Sequence, residues 1–154
     1  MSKDFTNLES LKKYVQGEIM DIMENQLAQR IKQTMSEAVD DSVYNAISPP
    51  VMYQRRSYNF GLGDVRTMES GLVSDGDEMT LTVTSQATLN NRYGLNRSGK
   101  SLQEIVISGE GYMYPGEHQQ PRNFYETTRR KLFESDTIRK TLREELRRKG
   151  IKTD

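Results

Sequence analysis

The stretch of sequence that decides the fold spans residues 65–87 and reads VRTMESGLVSDGDEMTLTVTSQA. Residues 65–74 and 78–87 favour β-structure, and Asp75-Gly76-Asp77 between them is typical of a β-hairpin turn. Apolar or small residues alternate with polar ones in the second run, so one face of the hairpin is expected to be buried. The residues on that face are Met79, Leu81, Val83 and Ser85. Helices are the natural cover for such a face.

Upstream of the hairpin, residues 7–46 carry the apolar periodicity of a helix. Apolar residues recur at intervals of three and four from Leu8 to Val39, which predicts one long amphipathic helical region. Thr6 or Asn7 is the candidate N-cap, and Gly17 is a candidate kink or break. Pro49-Pro50 is expected to end the region. The stripe is typical of a core-facing helix, and its length leaves packing against another subunit open.

Downstream of the hairpin, residues 121–149 form a second helical region. Pro121 is expected in the first turn of a helix, where its missing N–H is tolerated. Ser135 or Asp136 is the candidate cap of a second segment, and Gly150 is expected just past its end, where a left-handed backbone is needed. The residues predicted to face inward in the first segment are Phe124, Thr128, Leu132 and Phe133. In the second segment, an apolar residue recurs at every fourth position, at Ile138, Leu142 and Leu146.

Residues 51–114, between the helical regions, are expected to be rich in β-structure and loops. Residues 102–107 are apolar and fit either one helical turn or an inner strand. The polar segments 88–100 and 108–120 are candidates for loops that become ordered on a neighbouring subunit. The pattern as a whole predicts an α+β fold in a single domain of residues 1–154. That fold has a long N-terminal helix, a small antiparallel sheet with a hairpin, and a C-terminal helical segment packed on the sheet.

Composition predicts a thin core. Hydrophobic residues make up 34% of the chain and the mean hydropathy is −0.81, which is low for a compact monomer of 154 residues. Either part of the chain is extended or neighbouring subunits complete the core.

Charge is distributed unevenly, although the net charge is zero. Residues 1–50 hold five Lys/Arg and eight Asp/Glu, whereas residues 121–152 hold eleven Lys/Arg and five Asp/Glu. Opposed ends favour head-to-tail contacts between identical subunits. Solvated helix faces would give the same distribution, so both interpretations stay open.

Several function classes lack the residues they need. Cysteine is absent and His118 is the single histidine, which argues against disulfides, thiolate metal sites and histidine clusters. No apolar run of about 18 residues is present, so no membrane span is expected. The first residues, Met-Ser-Lys-Asp-Phe, lack a signal-peptide core and predict synthesis and residence in a cytoplasm.

Three local patterns resemble chemical sites without the context that would make them work. Residues 94–101, GLNRSGKS, have the spacing of a phosphate-binding loop but do not follow a hydrophobic strand. His118 beside Glu117 has no nucleophile to serve, and Asp75, Asp77 and Glu78 lack the twelve-residue spacing of a calcium loop. We therefore predict no catalytic residue, no cofactor, no metal and no enzymatic activity.

A scattered basic set is interleaved with tyrosines in the central region. Its members are Arg55, Arg56, Arg66, Arg92 and Arg97, together with Tyr53, Tyr58 and Tyr93. Cations on phosphates and aromatic rings on bases are how single-stranded nucleic acids are bound. At zero net charge the set fits a surface that lines a channel around DNA better than sequence-specific recognition. Arg55, Arg56, Arg92 and Arg97 are the candidate channel or interface residues.

Several short motifs, in order along residues 40–151, together resemble the small neck proteins of tailed bacteriophages, which are head-tail connector or tail-completion proteins. The motifs are the Tyr44–Pro50 segment leading to Val51-x-Tyr53-x-Arg55-Arg56, the Gly61-Leu62-x-Asp64 element, and Pro121-Arg122-x-Phe124 opening a helix that ends at Leu146-x-x-x-Gly150-Ile151. The chain departs from the family pattern where Ser108 interrupts residues 105–112. Its acidic N-terminal helix is also longer than in the family.

The resemblance implies a structural protein of the virion, made in the host cytoplasm and assembled as a ring in the neck. Its copies would form a hexamer or dodecamer between the portal or head-closure proteins and the tail terminator, with DNA passing non-specifically through the centre. It implies no catalytic residues and no membrane. The candidate positioning and docking residues are Pro121, Phe124, Leu132, Leu142 and Gly150. The alternative is a small regulatory or nucleic-acid-binding protein that uses the basic C-terminal helix, with Arg147, Arg148 and Lys149.

Overall fold

The computed structural model describes residues 5–48, 59–88, 100–111 and 119–153. Several sequence predictions lie outside the described residues. They are the helix stop at Pro49-Pro50, the basic set Arg55, Arg56, Arg92 and Arg97, most of the loop 94–101, and His118 with Glu117.

The N-terminal region is one long helical rod, as predicted. It consists of α1 (Leu8–Ile22), a π turn (Met23–Leu27), α2 (Ala28–Val39) and a second π turn (Asp40–Tyr44). Asn7 is the N-cap, and its side chain accepts a hydrogen bond from the Ser10 N–H at 2.8 Å. The helix runs unbroken through Gly17, so the predicted break there is wrong. The irregularities are instead the two π turns, each of which adds a residue to a turn and rotates the face that follows.

The predicted hairpin is present. β1 (Met68–Asp75) pairs antiparallel with β2 (Glu78–Ser85), and Gly76 adopts a left-handed φ of 60° in the turn. Met79, Leu81 and Val83 are half-buried and Ser85 is buried, which confirms the inward face. β1 starts three residues later than expected because Val65–Thr67 form a 3-10 turn that the Asp64 side chain caps.

The undecided segment after the hairpin is a helix, α3 (Leu102–Ser108). Ser101 and Glu104 form a reciprocal cap, since each side chain accepts a hydrogen bond from the other residue's backbone N–H. Such a pair satisfies two N–H groups that would otherwise have no partner. The capping residues therefore decide what the apolar pattern alone left open.

The C-terminal region contains α4 (Phe124–Glu134) and α5 (Thr137–Arg148). The prediction that Pro121 lies in the first turn of α4 is wrong. The helix begins at Phe124, because the Asn123 side chain accepts a hydrogen bond from the Glu126 N–H at 3.1 Å and caps it there. Asp136, with a left-handed φ of 51°, separates the two helices. Gly150 has a φ of 82°, which confirms the left-handed residue expected past the helix end.

Two apolar clusters hold these elements together. The central cluster joins α2, the hairpin, α3 and α4, and its buried members are Met35, Val39, Val43, Leu62, Met68, Ala87, Val106 and Phe124. The second cluster joins the first π turn to α5, and it contains Ile22, Leu27 and Leu146 with Leu81, Leu142 and Ile151 packed against them. The fold is therefore α+β, as predicted. The C-terminal helices touch the sheet and pack more extensively along the N-terminal rod.

The inward face of the C-terminal helices is largely as predicted. Phe124, Thr128, Leu132 and Leu146 are buried. Phe133 is 75% exposed, so the prediction of an inward position is wrong for this residue, and Ile138 in the apolar repeat of α5 is 39% exposed. These residues lie next to the break at Asp136, where the chain turns between the helices and the apolar stripe no longer meets the rod.

No helix in the described ranges is long and apolar enough to span a lipid bilayer.

Candidate functional site

Arg122 links the start of α4 to the end of the N-terminal rod. Its side chain is buried, and Nη1 donates a hydrogen bond to the Val43 carbonyl at 3.3 Å, while its backbone N–H donates to the Val106 carbonyl at 3.0 Å. The last carbonyls of a helix have no intrahelical partner, and a cation there also interacts favourably with the helix dipole. Arg122 therefore caps the rod, a role that its sequence context alone did not reveal.

Tyr125 joins three elements next to this cap. Its hydroxyl accepts a hydrogen bond from the Ser85 N–H at 3.0 Å and donates one to Gln103 Oε1 at 2.6 Å. Burial raises the pKa of the Tyr125 hydroxyl, so the group stays protonated and able to donate. The Pro121-Arg122-x-Phe124 motif and its neighbour thus fix where α4 lies relative to the rod, β2 and α3.

The Gly61-Leu62-x-Asp64 element shapes the chain entering β1. Leu62 is buried in the central cluster, and the Asp64 side chain is only 4% exposed. Arg66 donates side-chain hydrogen bonds to both oxygens of this carboxylate, and Phe60 donates its backbone N–H to Oδ2 at 2.8 Å. These bonds, chiefly those from the Arg66 side chain, hold the pKa of Asp64 well below its ordinary value, although burial opposes them.

Oppositely charged residues of the two helical regions meet within one chain. Lys149 Nζ lies 2.5 Å from Glu18 and 2.5 Å from Asp21, and Lys131 Nζ lies 2.5 Å from Asp41. The hydrogen bonds that Lys149 donates to the carboxylates of Asp21 and, next in size of effect, Glu18 raise the pKa of Lys149. Part of the charge asymmetry predicted to act between subunits therefore fastens α4 and α5 to the rod.

The tip of the hairpin is fastened to the first half of α1. Lys12 Nζ lies 2.6 Å from Asp77 Oδ1, and Gln16 Nε2 donates to the same oxygen at 3.0 Å. The contact with Lys12 lowers the pKa of the Asp77 carboxyl. The Asp77 carboxylate is thus paired with Lys12. Its place in the hairpin turn accounts for this acidic residue better than a calcium site does.

The predicted docking residues divide into packed and exposed positions. Phe124 and Leu132 are buried and Leu142 is half-buried, so these side chains contact their own chain. Pro121 and Gly150 are exposed and lie at the two ends of the C-terminal helical region. Phe124, Leu132 and Leu142 therefore pack within their own chain, and a docking role for the five residues stays a prediction.

Large apolar side chains are exposed at several places on the outside of the protein. The most exposed are Leu8 at 81%, Phe133 at 75%, Val73 at 66% and Phe60 at 57%. Single exposed apolar residues are ordinary, whereas exposed apolar residues framed by charge are typical of interaction sites. The Phe60 ring is stacked by Arg66, whose guanidinium carbon lies 4.6 Å from the ring centre. The exposed outward side chains therefore include positions that sequence periodicity assigned to the core.

The described residues contain no group of three or more His, Asp or Glu side chains placed to hold a metal ion.

The candidate site of this α+β protein consists of packing and charge contacts between its helices. The family model described as YomN matches residues 7–148, so the chain belongs to the YomN family. This family is phage-derived, which makes the chain a phage-associated protein. At a significant level, no curated protein and no solved structure matches it.

Proposed function

We propose that the chain is a structural component of the phage virion neck. In this role its copies form a ring that joins the DNA-filled head to the tail and lets DNA pass. The ring would sit between the portal or head-closure proteins and the tail terminator, and the protein would act without enzymatic chemistry.

The observation that carries the proposal is the exposure of large apolar side chains on a fold with little core. The sheet has two strands in the described residues, and an isolated two-stranded sheet is at best marginally stable in water. Ring subunits bury apolar surface against copies of themselves, so a subunit with a thin core and exposed Phe133, Val73 and Leu8 suits that setting. Membership of a phage-derived family adds independent support.

The contacts of the C-terminal cations weigh against the regulatory or nucleic-acid-binding alternative. Lys149 is held by Glu18 and Asp21, and the Arg148 side chain lies 2.8 Å from Glu145. Arg147 donates to the Thr153 side chain at 3.1 Å. Cations used in this way have less freedom to reach a phosphate backbone. The alternative predicts DNA affinity that falls steeply with salt, whereas the neck role predicts little affinity outside the assembly.

The decisive experiment deletes the gene from the phage and examines the particles by electron microscopy. We expect filled heads and complete tails that remain separate, and restoration of joining when the protein is supplied from a plasmid. Mass spectrometry of purified wild-type particles should detect the protein at a ring-like copy number. Normally joined, infectious particles without the protein would contradict the proposal, as would its absence from purified virions.

A further inference from the structure

One end of the hairpin carries an acidic outward surface with an apolar centre. Val73 and Asp75 lie on the outward face of β1, and their cross-strand partners are Thr80 and Glu78. All four are exposed, and we call this surface the acidic tip. Asp75 directly opposes Glu78. Like charges directly opposite each other on a hairpin are destabilising, so the fold retains an unfavourable pair that a cation would relieve.

The corner between α4 and α5 carries the complementary combination. Its residues are Arg129, Arg130, Phe133, Ile138 and Arg139, which we call the basic corner. Arg129 and Arg130 precede Phe133 by four and three residues, so all three share one face of α4. All five are exposed, and neither Arg130 nor Arg139 has an ion pair within the described parts of the chain. Residues 129–140 hold five cations and two carboxylates, so the corner is positive overall.

These two surfaces lie far apart on one molecule. The tip is fastened to Lys12 near the start of α1, whereas the end of α5 is fastened to Glu18 and Asp21. From there α5 runs back toward its start past Thr141, which shares a groove with Arg30. Lys12 and Arg30 are about 27 Å apart at the helical rise of about 1.5 Å per residue. The tip therefore cannot reach the corner of its own chain.

We infer that the acidic tip of one copy binds the basic corner of the next. Val73 would pack against Phe133, and Asp75 and Glu78 would pair with Arg130 and Arg139. Two different surfaces that bind each other form a head-to-tail contact, which closes into a ring when the rotation per subunit allows it. The inference rests on the proposed neck ring and names the surfaces that would build it.

Charge reversal at each surface tests the contact. We expect the wild-type protein to self-associate, and expect D75K/E78K and R130E/R139E each to weaken association at least about tenfold, since like charges then face each other. Mixing the two variants should restore association, because every tip then meets a corner of opposite charge. F133S should weaken association without loss of stability. Matched controls are E37K and K152E, which reverse exposed charges outside both surfaces and should associate as wild type.

Sedimentation velocity at about 0.05 M and about 1 M NaCl measures self-association. Circular dichroism verifies that each variant is folded. The higher salt should weaken association because it shortens the range of electrostatic attraction. Wild-type protein that stays monomeric at its highest soluble concentration would overturn the inference, and so would reversal variants that associate normally or fail to associate when mixed. Loss of DNA binding by R130E/R139E with unchanged self-association would assign the corner to nucleic acid instead. The neck proposal fails separately, if particles without the protein are joined normally while purified protein still associates through these surfaces.

Discussion

At the scale of single residues, Asp64 shows how a buried charge is kept in a small protein. Its carboxylate accepts hydrogen bonds from the Arg66 side chain and from two backbone N–H groups, those of Phe60 and Arg66. A buried carboxylate is costly unless it is paired and hydrogen-bonded in this way. Because the same bonds hold the Phe60–Thr67 segment in its turns, Asp64 determines how the chain enters β1.

Replacement of Asp64 by Asn should make stability depend less on acid pH. The pKa of Asp64 lies below its ordinary value of 3.8 in the folded protein. The ionised group therefore contributes stability fully above that ordinary value, and the contribution is lost as the pH falls toward the folded pKa. We expect D64N to lower the free energy of unfolding by about 2 kcal/mol at pH 7, because charge-assisted hydrogen bonds are lost.

Urea titrations of wild type and D64N between pH 7 and pH 2 measure this effect. The difference in unfolding free energy should be constant down to about pH 5 and narrow below about pH 4. E37Q, at an exposed position of α2, is the control and should leave the profile nearly unchanged. A difference that stays the same at pH 2 as at pH 7 would mean that the Asp64 charge contributes nothing.

Gly17 allows a second prediction at this scale, in the opposite direction. It lies within α1, and a Cβ built there would meet nothing within 4 Å. Because glycine is poorer than alanine in a helix interior, G17A should raise the free energy of unfolding by about 1 kcal/mol. Thermal and urea unfolding measure the gain. A loss of stability would mean that a partner or a second copy packs closely against this position.

At the scale of elements, local patterns in the sequence were sufficient to predict most helices and the hairpin. The apolar stripe from Leu8 to Val39 and the Asp-Gly turn depend on neighbours in sequence, and the structure confirms both. Features that depend on distant contacts were missed. Phe133 fits the periodicity of an inward face, but the chain turns at Asp136 and leaves it exposed. The π turns have no sequence signal in a single chain.

The candidate site was less predictable than the fold for the same physical reason. Pro121-Arg122-x-Phe124 was singled out by resemblance, yet one hydrogen-bond partner of the Arg122 side chain is the carbonyl of Val43, 79 residues away. Lys149 was named only as one cation of the basic C-terminal helix, whereas its side chain binds acids on α1. Periodicity tells which face is apolar and gives no information on which distant group a long cation reaches.

Arg122 gives the prediction that belongs to this scale. R122M keeps most of the apolar stem and removes the guanidinium, so it leaves the Val43 carbonyl without this donor. We expect a loss of about 2 kcal/mol in the free energy of unfolding, which is typical of a lost charge-assisted hydrogen bond in a buried setting. Hydrogen exchange should show faster opening of the Asp40–Tyr44 turn than of β2. R30M, at an exposed arginine of α2 outside the acidic tip and the basic corner, is the matched control and should change neither measurement.

At the scale of the whole molecule, two kinds of contact connect the ends of the chain. Apolar contacts in the second cluster bring Leu146 and Ile151 against Ile22 and Leu27. Ion pairs between Lys149 and the acids on α1 lie beside this cluster, and they join positions 131 and 128 residues apart. Because this cluster has three buried members among the described residues, we expect the ion pairs to help keep α5 in register along the N-terminal helical region.

Removal of the Lys149 charge should therefore loosen α5 without unfolding the rest of the protein. We expect K149M to lower the urea midpoint in about 0.05 M NaCl, and the difference from wild type to shrink in about 1 M NaCl, where ion pairs are screened. Hydrogen exchange should increase in residues 137–148 and stay unchanged in β1 and β2. K152M removes a nearby exposed cation and should behave as wild type. The urea midpoints of K149M and wild type could instead differ by the same amount at both salt concentrations. The Lys149 side chain would then stabilise α5 through packing, and its charge contacts with Glu18 and Asp21 would not hold the two ends of the chain together.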